Sequence, residues 1–142
     1  MKRLLVVTLC LLSLQAVAAD YYGDLVVEKY ISAYDGDTFR VDVADIHPLI
    51  GRNMPIRLRG VDTPEIRGKC DQEKALAIKA RDFVRELLAN AETIVLKNID
   101  RGKYFRIVAD VSVDGVDLGE TLIENGLGRL YDGGKKESWC DG

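Results

Sequence analysis

The sequence places three carboxylates, those of Asp37, Asp62 and Glu65, at the ends of predicted strands or turns. Hard divalent cations such as calcium take several oxygen ligands at once, and carboxylates held at strand ends can supply them without rearrangement. No histidine or cysteine accompanies the three, which argues against zinc or copper. The simpler alternative for Asp37, and for Asp35 before it, is an ordinary Asp-Gly hairpin turn.

Arginines form the second group of chemically useful residues, and they stand at positions 57, 59 and 106. A guanidinium matches two phosphate oxygens and stays charged at any working pH. Beside a divalent ion, two guanidiniums could stabilise the added negative charge of a phosphoryl-transfer transition state. Taken alone, each arginine is better explained by a solvated strand face.

Gly60 decides whether the two groups can share a site. Strict alternation along a strand puts Arg57 and Asp62 on opposite faces. Glycine within a strand often marks a bulge or a sharp bend. If both side chains serve one site, the chain must bend at Gly60.

The elements that must position these residues are short strands around one helix. Residues 25–34 and 38–45 predict a hairpin, the second strand alternating apolar residues with Arg40, Asp42 and Ala44, and a third strand starts behind Pro55. Asp71 is predicted to cap an amphipathic helix of about five turns that ends near Asn90. Strands at residues 92–99 and 105–113 and a short helix stopped by Gly126 complete the order.

This order predicts an α+β architecture, a five-stranded OB-fold barrel with one helix between strands three and four and a short helix after strand five. The faces and loops of such barrels commonly bind oligonucleotides. The connection between the second and third strands has mixed character, and His47 within it is predicted to be an ordinary loop residue.

The first 19 residues have the order of a cleaved secretory signal: basic residues, an apolar run, then small residues. Residues 20–142 then form one domain, which we expect to be a monomer, secreted or periplasmic, with no membrane attachment. The signal holds two of the 20 basic residues and none of the 23 acidic ones, leaving 18 against 23 and a net charge of −5. An acidic protein must bind any polyanion through a local cluster of basic residues.

Two cysteines remain in the predicted mature chain, Cys70 and Cys140. A disulfide that ties down the C-terminal segment is the economical interpretation in an oxidising compartment. Two free thiols are the alternative. Beside Cys140, Trp139 is expected to pack against the disulfide, with base stacking as the alternative. Lys135 and Lys136 are expected to lie in a solvated tail, with steering of a polyanion as the alternative.

Four motifs in register resemble the staphylococcal nuclease (thermonuclease) family across nearly the whole mature chain. The second is the most specific. They are "DGDT" at 35–38, "IRLRGVDTPE" at 56–65, "DRGKYFR" at 100–106 and "LIENGLGR" at 122–129.

The resemblance implies a calcium-dependent phosphodiesterase that cuts DNA and RNA and leaves 3′-phosphate ends. It makes Asp37 and Asp62 calcium ligands, with Thr63 ligating through its backbone carbonyl. It gives Glu65 the role of positioning or deprotonating the attacking water. Because carboxylates are weak bases at neutral pH, we also expect an alkaline optimum.

The same resemblance makes Arg57 and Arg106 the phosphate-binding arginines. Lys103 and Tyr104 fall where the family contacts a terminal phosphate, and Tyr131 falls near a base-stacking tyrosine. One departure is that a bulky residue, Phe105, precedes the second arginine where the founding member has glycine.

Two other functions remain open at this point. One is a catalytically inactive OB-type module that binds nucleic acid, and the other is a secreted structural or inhibitory scaffold. Neither gives a reason to keep all five charged site residues together, which favours the enzyme.

Overall fold

A computed structural model describes residues 22–140. The predicted signal at positions 1–19 lies outside the described residues. None of the helices within 22–140 is long and apolar enough to cross a membrane. In chain order the elements are β1 (Leu25–Ala33), β2 (Thr38–Val43), α1 (Pro48–Gly51), β3 (Met54–Leu58), β4 (Val61–Asp62), α2 (Asp71–Asn90), β5 (Ile94–Arg101), β6 (Ile107–Val113), β7 (Val116–Asp117), α3 (Leu118–Glu124) and β8 (Arg129–Leu130).

Five strands close into a barrel, in the order β3-β2-β1-β5-β6. The closure is a parallel pairing of β3 with β6, in which Ile56 lies opposite Ile107, while the other four neighbours run antiparallel. The predicted OB-fold is confirmed. In chain order, α2 lies between the third and fourth barrel strands, β3 and β5, and α3 follows the fifth, β6. Fully buried side chains from four of these strands fill the interior: Val41, Ile56, Leu96 and Val111.

The second strand departs from simple alternation. Asp42, predicted on its solvent side, is only 9% exposed. Bulges in β1 shift the register opposite this strand, and the buried carboxylate is satisfied by Arg52 Nη1 at 2.9 Å and by the Asn53 backbone N–H at 2.8 Å. The strand pattern therefore predicted the element correctly and this side chain wrongly.

Helix α2 lies against the turn between β1 and β2. A Cβ added to Gly36 would lie 2.9 Å from Thr63 Cγ2 and 3.0 Å from Ala80 Cβ. Only glycine allows this close approach, so Gly36 holds the first hairpin against both the helix and the segment after β4. The helix begins at Asp71 itself, and Cys70 occupies the N-cap position, one residue before the predicted cap.

Two short elements lie outside the helices and strands that the sequence predicted. His47 caps the short helix α1, where its Nδ1 accepts a 3.2 Å hydrogen bond from the Leu49 backbone N–H. Near the C-terminus, β8 pairs with β4 and places Arg129 opposite Asp62. After β8 the chain turns back to the barrel, and a disulfide joins Cys140 to Cys70.

Candidate active site

The chain bends at Gly60, as the sequence predicted. Its φ of +70° lies in the left-handed region, and the bend separates β3 from β4. Before it, Arg57 pairs through Nη1 with Asp37 Oδ1 and donates through Nη2 to the Val61 carbonyl at 3.3 Å. Residues from both sides of the bend therefore face one site.

Asp37 ties the first hairpin to the segment that follows the bend. It is 2% exposed. Besides Arg57, its Oδ1 accepts a 3.0 Å hydrogen bond from the Thr38 hydroxyl, and its Oδ2 accepts a 3.1 Å hydrogen bond from the Thr63 backbone N–H. This carboxylate fixes Thr63 directly beside Asp62.

Asp62 is the most enclosed carboxylate after Asp37, at 4% exposure. Trp139 Nε1 donates a 3.0 Å hydrogen bond to its Oδ2. The Lys136 ammonium lies 2.7 Å from its Oδ1, as an ion pair outside the angular range of a hydrogen bond. The expectation that Trp139 packs beside the disulfide did not include this bond, and the expectation of a solvated tail did not include the ion pair of Lys136, whose side chain is 40% exposed.

Glu65 lies on the loop after β4, with its side chain 55% exposed. Its Oε1 accepts a 2.9 Å hydrogen bond from Lys136 Nζ. The loop backbone is organised from α2, because the buried Glu73 carboxylate accepts hydrogen bonds from the N–H groups of Glu65 at 3.3 Å and Lys69 at 2.8 Å. Glu65 thus combines a fixed backbone with a carboxylate that water can reach.

Burial and neighbouring charges change the pKa values of Arg57 and Asp35 at this site. Burial lowers the pKa of Arg57, opposed by the negative charges of Asp35 and Asp62, and the neighbouring Arg106 guanidinium lowers it further. Burial likewise raises the pKa of Asp35, against the effect of Arg57. Arg106 Nε is buried and has no hydrogen-bond partner within residues 22–140. A guanidinium with a free donor suits an anionic ligand.

The three predicted substrate-binding residues, Lys103, Tyr104 and Tyr131, lie in two different places. Tyr131 lies at the site, because its backbone N–H donates a 2.9 Å hydrogen bond to the Gly60 carbonyl and Lys136 Nζ lies 5.9 Å from its ring centre. Lys103 and Tyr104 lie on an exposed turn before Arg106. In the described part of the chain, no hydrogen bond or ion pair joins either to the carboxylates.

Phe105, which stands where the founding member of the family has glycine, adopts a backbone conformation that is typical of glycine. It has a φ of +61°, and the preceding Tyr104 a φ of +57°, so two bulky residues occupy the left-handed region that glycine adopts easily. Arg106 then leaves this turn in an extended conformation. The backbone expected of glycine is therefore retained here with an aromatic side chain.

Arg59 makes contacts that link neighbouring strands of the barrel. Its guanidinium donates to the Asn98 carbonyl at 2.5 Å and pairs with Asp100 at 3.3 Å and Asp110 at 3.7 Å. These contacts join the end of β3 to β5 and β6. The predicted solvated surface role is thus replaced by a strand-to-strand link.

The donor set at this site fits a hard divalent cation. Every side-chain donor at the three predicted ligand positions is oxygen. Within residues 22–140, the buried Thr63 Oγ1 has no hydrogen-bond partner, and the buried Asp62 Oδ1 has only the ion pair with Lys136. Asp37, Asp62 and Thr63 would hold such an ion. A second group of possible metal ligands consists of Cys70, Glu73 and Cys140, whose ligand atoms lie within 4.8 Å of one another. Because the two cysteines form a disulfide, they have no thiolates to bind a metal ion.

Sequence reasoning missed four contributors to the site: Asp35, Glu73, Lys136 and Trp139. Their spacing carries no signal, because the last two approach from the far end of the chain. The one clue that the sequence offered is the acidic residue Glu73 in the first turn of the predicted helix; its burial is seen only in the structure.

The fold and the site together define a class: a small OB-fold barrel that presents carboxylates and arginines at a bend after its third strand. The sequence profile described as "Staphylococcal nuclease homologue" matches residues 55–139, more than half of the chain, and the chain belongs to that family.

Two relatives extend the comparison. A probable endonuclease of Schizosaccharomyces pombe is 31% identical over 93 residues, an alignment that covers 60% of this chain and 40% of the relative. An uncharacterized protein of Methanocaldococcus jannaschii is 28% identical over 134 residues, covering 78% of this chain and 59% of the relative. The chain thus spans about half the length of these relatives.

Proposed function

We propose that this protein is a secreted or periplasmic, calcium-dependent nuclease that hydrolyses phosphodiester bonds of DNA and RNA and leaves 3′-phosphate ends. The observation that carries the proposal is the arrangement of Asp37, Asp62 and Glu65 with Arg57 around the bend at Gly60. Membership of the nuclease family supports nuclease activity in general. We further propose that the mature protein acts as a monomer.

Two guanidiniums would bind the scissile phosphate. Arg106 has a buried Nε without a partner within residues 22–140, and its positive charge lies close enough to Arg57 to lower the pKa of that guanidinium. Planar N–H donors match the oxygens of a phosphate that is gaining negative charge. A calcium ion bound by Asp37, Asp62 and Thr63 would offset further charge on the phosphate.

Glu65 would accept a proton from the attacking water. Its half-exposed carboxylate is open to solvent, and a base must lie within hydrogen-bond reach of the proton that it takes. As the water oxygen forms a bond to phosphorus, the bond from phosphorus to the 5′-oxygen breaks. The leaving 5′-oxygen takes a proton from solvent, and the proton held by Glu65 returns to solvent. The products are a 3′-phosphate and a 5′-hydroxyl.

The deciding experiment is cleavage of single-stranded DNA, double-stranded DNA and RNA by the purified mature protein, at alkaline pH, with calcium or with chelator. We expect cleavage with calcium and none with chelator. A second arm uses Glu65→Gln, which removes the base, and Glu92→Gln, an exposed carboxylate without a described contact, as its matched control.

Glu65→Gln is expected to lower kcat by about two orders of magnitude or more, because it removes a general base, whereas Glu92→Gln stays at the wild-type rate. No cleavage with calcium would contradict the enzyme. Binding of an oligonucleotide without cleavage would instead support the inactive OB-type module.

A further inference from the structure

Lys136 brings a positive charge into the middle of the acidic site. Its ammonium lies 2.7 Å from Asp62 Oδ1 and donates a 2.9 Å hydrogen bond to Glu65 Oε1. The side chain is 40% exposed, so the charge is partly shielded from solvent. One ammonium therefore connects a predicted metal ligand with the predicted base.

This lysine is delivered by a fixed segment, the C-terminal strap, which we define as residues 131–140. At its start, the Tyr131 backbone N–H binds the Gly60 carbonyl. At its end, Trp139 binds Asp62 and the disulfide fixes Cys140. The neighbouring Lys135 makes no hydrogen bond or ion pair within the described chain, so the contacts of Lys136 are specific to that position.

We propose that Lys136 is a positioning residue of the nuclease reaction: it orients the Glu65 carboxylate, and it serves as the counter-ion of Asp62 when no divalent cation is bound. This inference rests on the function proposed above. No other side chain in residues 22–140 makes a hydrogen bond or ion pair with the Glu65 carboxylate. Without Lys136, the half-exposed side chain of Glu65 is free to adopt several rotamers.

The two parts of this role have consequences of opposite sign. An ammonium and a divalent cation repel each other and compete for Asp62 Oδ1, so removing the ammonium strengthens metal binding. Loss of orientation at Glu65 lowers the rate of the chemical step. A merely structural role would weaken metal binding and catalysis together.

The test compares Lys136→Met with Lys135→Met as its matched control and Lys136→Arg as the conservative variant. Calorimetric titration with Ca²⁺ is expected to show binding about fivefold tighter in Lys136→Met, the size expected of one partly exposed ion pair. At saturating calcium its kcat should fall about tenfold, with KM nearly unchanged. Lys136→Arg should recover most of kcat, and Lys135→Met should match the wild type in both measurements.

Circular dichroism and thermal unfolding first establish that each variant is folded. A folded Lys136→Met with unchanged or weaker calcium binding overturns the counter-ion role, and one with wild-type or higher kcat overturns the positioning role. Failure of the proposed function is distinguishable, because it appears as an inactive wild type. The calcium titrations would then still decide whether Lys136 is the counter-ion of Asp62.

Discussion

The indole of Trp139 donates its N–H to Asp62 Oδ2 at 3.0 Å, which joins the end of the described chain to a carboxylate 77 residues earlier. Trp139 is 8% exposed, and the Arg129 guanidinium lies 3.8 Å from the centre of its ring. The C-terminal strap is therefore held over the site by a directed contact as well as by the disulfide.

We predict that Trp139→Phe lowers the free energy of unfolding by about 1–3 kcal/mol, because it leaves a buried carboxylate oxygen without its donor. Urea unfolding followed by far-UV circular dichroism measures the change. In an Asp62→Ala background the same substitution should have a smaller effect, since the acceptor is already absent. An equal effect in both backgrounds would show that the hydrogen bond contributes nothing.

Arg106 should matter for rate and little for stability. Its guanidinium makes no ion pair within residues 22–140 and its buried Nε has no hydrogen-bond partner there, so Arg106→Ala removes no described polar contact and is expected to change the free energy of unfolding by no more than about 1 kcal/mol. Its loss should lower kcat by about two to three orders of magnitude, because a donor to the charged transition state is removed.

Arg101→Ala is the matched control for this prediction. Arg101 lies in the same hairpin, is exposed, and stacks its guanidinium 5.1 Å from the Phe105 ring centre. We expect kcat within about twofold of the wild type. Similar losses in both variants would mean that positive charge in this hairpin, rather than the position of Arg106, supports the reaction.

The local pattern of residues was enough to predict the barrel, because alternation and helical spacing depend on near neighbours. The same pattern required a bend at Gly60 if Arg57 and Asp62 were to share one site, and the structure has that bend. It could not predict the burial of Asp42, because bulges in the neighbouring strand β1 shift the register. The spacing of residues within one strand indicates which face of the sheet each side chain should take. The register depends on the pairing with a second strand, which that spacing does not contain.

The part of the site that escaped prediction comes from contacts distant in sequence. Lys136 and Glu65 are 71 residues apart and meet only because the strap returns to the barrel. A lysine in a polar tail is indistinguishable, by composition, from one in a solvated loop. The disulfide between Cys70 and Cys140 was the single predicted constraint that brings the strap near Glu65.

Asp42 should make folding stability depend on pH in the acid range. Hydrogen bonds from the Asn53 backbone and from Arg52 lower its pKa in the folded protein. A lowered folded pKa contributes stability above the unfolded value of about 3.9, and that contribution is lost as the pH falls through the folded value. Asp42→Asn should therefore be less stable than the wild type at neutral pH, with the difference shrinking below about pH 4.

Urea unfolding across this pH range measures the difference, and Asp24→Asn serves as the control because that exposed residue has no described partner. The control variant should follow the wild type at every pH. If the difference in free energy of unfolding between Asp42→Asn and the wild type did not change with pH, the loss of stability would not come from the charge of the Asp42 carboxylate.

Gly60 offers the sharpest test of how the site is assembled. Its φ is +70°, and a Cβ there would meet no heavy atom within 4 Å, so alanine introduces backbone strain without a clash. Gly115, in the turn between β6 and β7, has a φ of +87° and the same open space. Each alanine should lower the free energy of unfolding by about 1–2 kcal/mol, which makes the pair matched for stability.

Only the first substitution should affect the reaction. Strain at Gly60 is relieved by moving Asp62 relative to Arg57, and a displacement of about 1 Å in a catalytic group can lower a rate about a hundredfold. We therefore expect a large loss of kcat in Gly60→Ala and a wild-type kcat in Gly115→Ala, both measured where the proteins are fully folded. Equal rates in the two variants would show that Asp62 and Arg57 reach one site without the bend.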